Sequence, residues 1–111
     1  MPATLQISFR NMDPTAWAEA LVRSRVEELD HVSDRVSACR VVLDASHRRH
    51  RQGRQYQVHI ELAVPNGPIA VTRDAGENHA HEDLKLAIRD AFDAARRQLQ
   101  DHTRRMEGNA P

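Results

Sequence analysis

The sequence predicts an α+β fold of order β-α-β-β-β-α, a two-layer sandwich in which a four-stranded sheet carries two helices packed on one face. Three observations predict it. Four short stretches alternate apolar and polar residues with the period of two that belongs to half-buried strands. Two longer stretches repeat apolar residues at three- and four-residue spacing, as an amphipathic helix does. Turn-forming sequences such as "NMDP" and "VPNG" fall between these stretches and not inside them.

Leu5, Ile7 and Phe9 alternate with Gln6, Ser8 and Arg10, which makes the first strand. Asp13 then reads as a helix N-cap, with Pro14 at the first helical position, where its missing N–H costs nothing. Ala18, Leu21, Val22, Val26 and Leu29 place an amphipathic helix over 14–30. Cys39, Val41 and Leu43 alternate with Arg40, Val42 and Asp44 in a second strand, and Tyr56, Val58, Ile60, Leu62 and Val64 alternate with Gln57, His59 and Glu61 in a third. The "VPNGPIAV" turn predicts a hairpin return over 69–73. "DAGENHAH" reads as a loop, and Leu84, Ile88, Ala91, Ala95 and Leu99 then form the stripe of a helix over 82–105, with Phe92 at its border.

Strand polarity sorts these residues onto two faces. Leu5, Ile7, Phe9, Cys39, Val41, Leu43, Tyr56, Val58, Ile60 and Ile69 should face the helices. Gln6, Ser8, Arg10, Arg40, Gln57, His59 and Glu61 should form an open, polar face. A chain of 111 residues is expected to fold as one domain over 1–111 with an ordered core over 4–105.

Composition narrows the function classes. The chain is 40% hydrophobic and 29% charged, which favours a folded protein over a disordered one. Sixteen basic residues balance sixteen acidic ones, so the distribution of charge and not its sum decides whether a polyanion can bind. All the basic residues but Lys85 are arginine, the residue best suited to bidentate phosphate contacts, although a biased genome would give the same excess. The single cysteine, Cys39, excludes an internal disulfide and a cysteine-rich zinc site. Nothing at the start reads as a signal peptide and no apolar run approaches a membrane span, so a soluble, cytoplasmic protein is expected.

The densest charge is "HRRHRQGRQ", residues 47–55, where Arg48, Arg49, Arg51 and Arg54 have no acidic neighbour. With Arg40 approaching from the second strand, this predicts positive charge at one end of the sheet, able to meet phosphates and stack on unpaired bases. The plainer reading is a solvated connector. Arg96, Arg97, Arg104 and Arg105 form a second basic group, with Arg97 and Arg104 near one helical stripe. Here the plainer reading is ordinary surface pairing, Asp93 with Arg97 and Asp101 with Arg105.

Seven histidines raise the question of a metal. His79 and His81 are the candidate ligands by proximity, yet no recognised ligand pattern surrounds them, so no metal and no other cofactor is expected. His47 and His50 extend the basic loop when protonated. Enzymatic readings find little support: Cys39 falls on the core face, where a thiol stays neutral, and His59 with Glu61 has no accompanying nucleophile or phosphate loop. Trp17, at the edge of the first helix's apolar face, reads as a packing residue.

"FRNMDPT", the helix after it, and above all "HAHEDLKLAIRDAFDAARRQL" resemble the ribosome hibernation-promoting factor family, also called the ribosome-associated inhibitor or sigma-54 modulation protein family. The resemblance covers nearly the whole chain. "HRRH", "VPNG" and "NHAHED" look like a histidine-rich branch, some of whose members continue into a cold-shock-like segment before which this chain stops. The resemblance implies the β-α-β-β-β-α fold and a non-enzymatic inhibitor of translation, acting in stress or stationary phase, that lodges in the decoding region of the small ribosomal subunit. It also implies that Arg25 stands where the family has a first-helix lysine. A usual lysine of the second helix is Ala94 here, and the typically basic tail reads "QDHTRR".

The expected partners are therefore the small subunit and its ribosomal RNA, with no membrane and no DNA; the oligomeric state stays open. The expected RNA-binding residues are Arg25, Arg40, Arg48, Arg49, Arg51, Arg54, Arg96, Arg97, Arg104 and Arg105. The alternative is a regulatory protein- or metal-binding module on the same fold, with weakened RNA affinity, supported by the zero net charge and Ala94.

Overall fold

The computed structural model describes residues 4–47, 54–74 and 80–108. Its elements run β1 (Thr4–Arg10), α1 (Ala16–Val32), β2 (Ala38–His47), β3 (Arg54–Ala63), β4 (Ile69–Asp74) and α2 (Ala80–Gly108), the predicted order. They form one four-stranded sheet in spatial order β1-β2-β3-β4. β1 runs parallel to β2, joined through α1, and the other two pairs are antiparallel.

The period-two pattern delivers the core as expected. Val41, Leu43, Val58, Ile60 and Leu62 are all fully buried, and register stacks them: Ile7 opposes Val41, Val41 opposes Ile60, and Ile60 opposes Val71. Each such aliphatic side chain contributes about 1.5–3 kcal/mol through burial. Val22, Val26 and Leu29 of α1 and Leu84, Ile88, Ala95 and Leu99 of α2 complete the same cluster. Leu5, Ile7 and Phe9 are only half-buried because β1 is an edge strand. Trp17 is half-buried against the core, as a packing residue should be.

The boundaries differ from the sequence expectation in ways that move functional residues. α1 starts two residues later than predicted: Thr15, not Asp13, is the N-cap, in an extended conformation with φ −120° and ψ 129°, and the Glu19 N–H donates to its carbonyl at 3.0 Å. The intervening turn needs those residues. Asn11 takes a left-handed φ of 58° and donates from Nδ2 to Asp44 Oδ1 at 2.9 Å, so the chain leaves β1 tied to β2 before the helix begins. At its other end α1 reaches Val32, where the Ser33 N–H donates back to Leu29 O at 3.2 Å and the Ser33 hydroxyl accepts from the Arg35 N–H at 3.1 Å. α2 is longer than expected at both ends. β2 and β3 extend to His47 and Arg54, which pair with each other, so two residues of the predicted loop belong to strands.

Candidate nucleic-acid interface

The topology fixes which basic residues meet. β2 begins beside the β3–β4 turn, with Ala38 opposite Ala63, and ends at the pair His47–Arg54. Arg40 lies opposite Glu61, near the start of β2. His47 is seven positions further on, roughly 23 Å away at about 3.3 Å per strand residue. The expectation that Arg40 joins the 47–55 stretch is not met at its described ends, His47 and Arg54: seven strand positions separate Arg40 from that pair. Arg48, Arg49 and Arg51 lie outside the described residues, and Arg54 is described only as the backbone start of β3.

Arg96 and Arg104 of α2 lie at the opposite end. α1 ends at Val32 against the later part of α2, and between them opens a groove of about 490 Å³ lined by His31, Val32, Arg96, Gln100, Thr103 and Arg104. Its charge is positive and weakly neutralised. Arg104 has only a long pair, 3.9 Å to Asp101 Oδ1, with side chains 80% and 61% exposed, and such pairs are worth little in water. Arg96 is exposed and has no ion-pair or hydrogen-bond partner among the described residues. Thr103 Oγ1 is buried without a hydrogen-bond partner among them. Arg25 lies on the stripe of α1 that reaches Val32, seven residues on, but Glu28 already holds it at 3.2 Å and its side chain is only 26% exposed. Arg23 is likewise held by Glu19 at 2.9 Å.

The four α2 arginines expected to bind RNA, Arg96, Arg97, Arg104 and Arg105, do not form one patch. At 100° per residue, Arg96 and Arg104 turn toward α1 and line the groove, while Arg97 is exposed on the outer face. Arg105 lines a different cavity, about 390 Å³, between α2 and the β3–β4 turn, together with Asn66, Gln98 and His102. There the His102 Nε2–H donates to Pro65 O at 2.6 Å and Arg105 Nε to Asp101 O at 3.4 Å, tying helix to turn and closing off the helix's own carbonyl. The predicted surface pairs change accordingly. The Asp101 carboxylate pairs with Arg104 and not with Arg105, and no ion pair joins Asp93 to Arg97 among the described residues.

Ala94 is 4% exposed and belongs to the core. The position where the family resemblance implies a lysine is thus a packing position in this chain. His31, Gln100 and Thr103 line the groove without being among the sequence candidates. His31 carried one signal, a basic residue in the last turn of a helix, where the backbone carbonyls favour positive charge.

Other candidate sites resolve differently. His79 lies outside the described residues and His81 is described only as helix backbone; among the described residues no group of three or more His, Cys, Asp or Glu is arranged to hold a metal. Cys39 is 1% exposed, and burial, helped by the charge of Asp30, pushes its thiol up to about 12. His59 Nδ1 and Thr72 Oγ1 share a hydrogen bond of 2.8 Å on the open sheet face. No described helix is long and apolar enough to cross a membrane.

A family model described as sigma 54 modulation protein / S30EA ribosomal protein matches residues 5–107. The chain belongs to that family. Among curated relatives of this S30EA-type chain, a ribosome hibernation promotion factor of Deinococcus radiodurans is 34% identical over 94 residues, 85% of this chain. The aligned part is 46% of that relative's length, so the chain spans about half of it. Two solved structures share the fold. The Protein Y N-terminal domain of Thermus thermophilus superposes with a TM-score of 0.69 at 21% identity, covering 92% of this chain and 99% of that one. A ribosomal subunit interface protein of Coxiella burnetii superposes with a TM-score of 0.69 at 12% identity, covering 90% of this chain and 97% of that one.

Proposed function

We propose that this S30EA-family domain binds the small ribosomal subunit through ribosomal RNA in the decoding region, and that it holds translation off by occupying that site. The observation that carries the reading is the groove at the α1–α2 junction, where Arg96 and Arg104 are exposed and barely neutralised beside His31. Guanidinium groups in that state are ready to exchange water for phosphate, and each phosphate neutralised adds a salt-dependent increment to affinity. Family membership and the hibernation-factor relative support the choice of partner. Arg97 on the outer face and the arginines of 48–54 would extend the contact, whereas Arg25 would first have to leave Glu28. The domain over 1–111 acts by occupancy, and no chemical step is assigned to it.

Co-sedimentation of the purified protein with small and with large subunits, over a salt series, tests this. The reading requires binding to small subunits at low salt, lost as salt rises; protein that stays in the supernatant at low salt would refute it. Repeating the test with Arg48, Arg49, Arg51 and Arg54 changed to alanine isolates the share of that segment. A second reading, a protein-binding regulatory module with weakened RNA affinity, draws on the balanced charge and on the prior engagement of Arg23 and Arg25. It predicts a protein captured in pull-downs and no salt-sensitive binding to subunits.

A further inference from the structure

The helices cover one face of the sheet; the other carries a charge pattern of which the RNA expectation uses only Arg40. Strand register arranges that face in rows. One row runs Gln6, Arg40, Glu61, Ala70; the next Ser8, Val42, His59, Thr72; the next Arg10, Asp44, Gln57, Asp74. Arg10, Arg40 and Glu61 have no hydrogen-bond or ion-pair partner among the described residues, and they rim a depression of about 290 Å³ with Val42 among its lining residues. Val42 is 9% exposed, although it points away from the core cluster.

We propose that this face is a self-complementary contact between two copies of the chain. Consider a two-fold axis parallel to the strands, lying between β2 and β3. It sets β2 of one copy over β3 of the other and β1 over β4, row on row. Arg40 then faces Glu61 of the second copy, and Arg10 faces its Asp74; symmetry repeats both pairs, giving four opposite-charge contacts. Val42 faces His59 of the second copy, an imidazole opposite a small apolar floor. Asp44 faces a neutral Gln57, so no like charges meet within the rows. A two-fold axis across the strands is poorer, because it pairs Arg40 with Asp44 and leaves Arg10, Glu61 and Asp74 without opposite charges. Sheets packed face to face keep their strands within about 30°, which preserves these central pairs.

The contact is small. Four strands about 4.8 Å apart and three rows about 6.7 Å deep give roughly 400 Å² per copy, about 800 Å² in all, below the size of stable complexes. The dimer is therefore weak, concentration-dependent and salt-sensitive, and it leaves the α1–α2 groove of each copy facing outward. It does not rest on the ribosome reading.

Sedimentation equilibrium at low salt, up to roughly 1 mM protein, tests it. Wild type should rise from monomer toward twice the monomer mass with concentration, and fall back when salt is added. R40E and E61R should each stay monomeric, since each places like charges face to face. Mixed in equal amounts they should associate: the reversed charge at position 40 of one variant meets the reversed charge at position 61 of the other, and the native Arg40 and Glu61 meet in the symmetry-related contact. That rescue is intermolecular, because positions 40 and 61 within each variant still carry like charges opposite each other. If circular dichroism shows either reversal to be unfolded, R10Q takes its place and should raise the dissociation constant about two- to thirty-fold by removing two symmetry-related pairs. Monomeric wild type at the highest concentration, E61R associating like wild type, a mixture that stays monomeric, or an unchanged R10Q would each overturn the proposal.

Discussion

Replacing Ala94 with lysine separates this structure from a direct transfer of the family pattern. If position 94 faced solvent, lysine would cost almost nothing in a helix and would add a phosphate contact. Ala94 is instead 4% exposed within the core cluster, where a four-carbon chain has no room. Overpacking of this kind costs about 1–3 kcal/mol, and that range assumes that the ammonium reaches water along its stem; a trapped charge would cost more. For a domain of this size about 1 kcal/mol corresponds to about 4 °C in Tm, so A94K should melt about 4–12 °C below wild type. Leu86→Lys is the control, because Leu86 is 49% exposed on the same helix and should tolerate the change. Thermal denaturation followed by circular dichroism reads both. An A94K variant within about 1 °C of wild type, with tighter binding to small subunits, would show that Ala94 is a surface residue and that α2 packs differently on the sheet.

Other outcomes follow from single contacts. Gly67→Ala should destabilise, since an added Cβ would stand 2.6 Å from Val64 Cγ2 and 3.0 Å from Val64 O, and the turn that carries Pro65 to His102 would have to shift; a loss of about 1–3 kcal/mol in urea unfolding is expected, and an unchanged midpoint would contradict it. With its thiol at about 12, Cys39 should be about one part in ten thousand thiolate at pH 8 and react with a thiol reagent only on unfolding; rapid labelling of the folded protein would mean that the thiol is exposed. The same shift sets a pH dependence: below the ordinary value of 9.0 the thiol is neutral in both states, and above it the unfolded chain loses the proton first. Stability should therefore fall as pH rises from 9.0 toward about 12, and Cys39→Ala should flatten that part of the profile.

The sheet was legible because its alternation is uninterrupted: Val41, Leu43, Val58 and Ile60 announce a buried face, and the intervening polar residues announce an open one. Positions along the strands were less legible. Arg40 and His47 look close in sequence, yet β2 carries them seven positions apart, with Arg40 near its start and His47 at its end. No local pattern says how far a strand continues once its residues become uniformly polar, as "SHRRH" does. The α2 stripe shows less than the whole buried face for a related reason. Ala94 is off the Ala91–Ala95 line, but α2 contacts β3, β4 and α1 together, so its buried arc is wider than a single stripe. The groove could not be read at all, since His31 meets Arg96 and Arg104 only through the packing of one helix end on another. Mixed charge on the open face was visible as composition; its row-by-row order required the register.

The claim on which the functional account depends is that the α1–α2 groove carries phosphate contacts. Equilibrium binding of wild type and of R96A/R104A to small ribosomal subunits, measured across a salt series, tests it most directly. Each lost contact should flatten the slope of log affinity against log salt by about 0.7–0.9, so the double variant should bind more weakly with a slope reduced by about 1.4–1.8. Equal affinity and equal slope for the two proteins would contradict it.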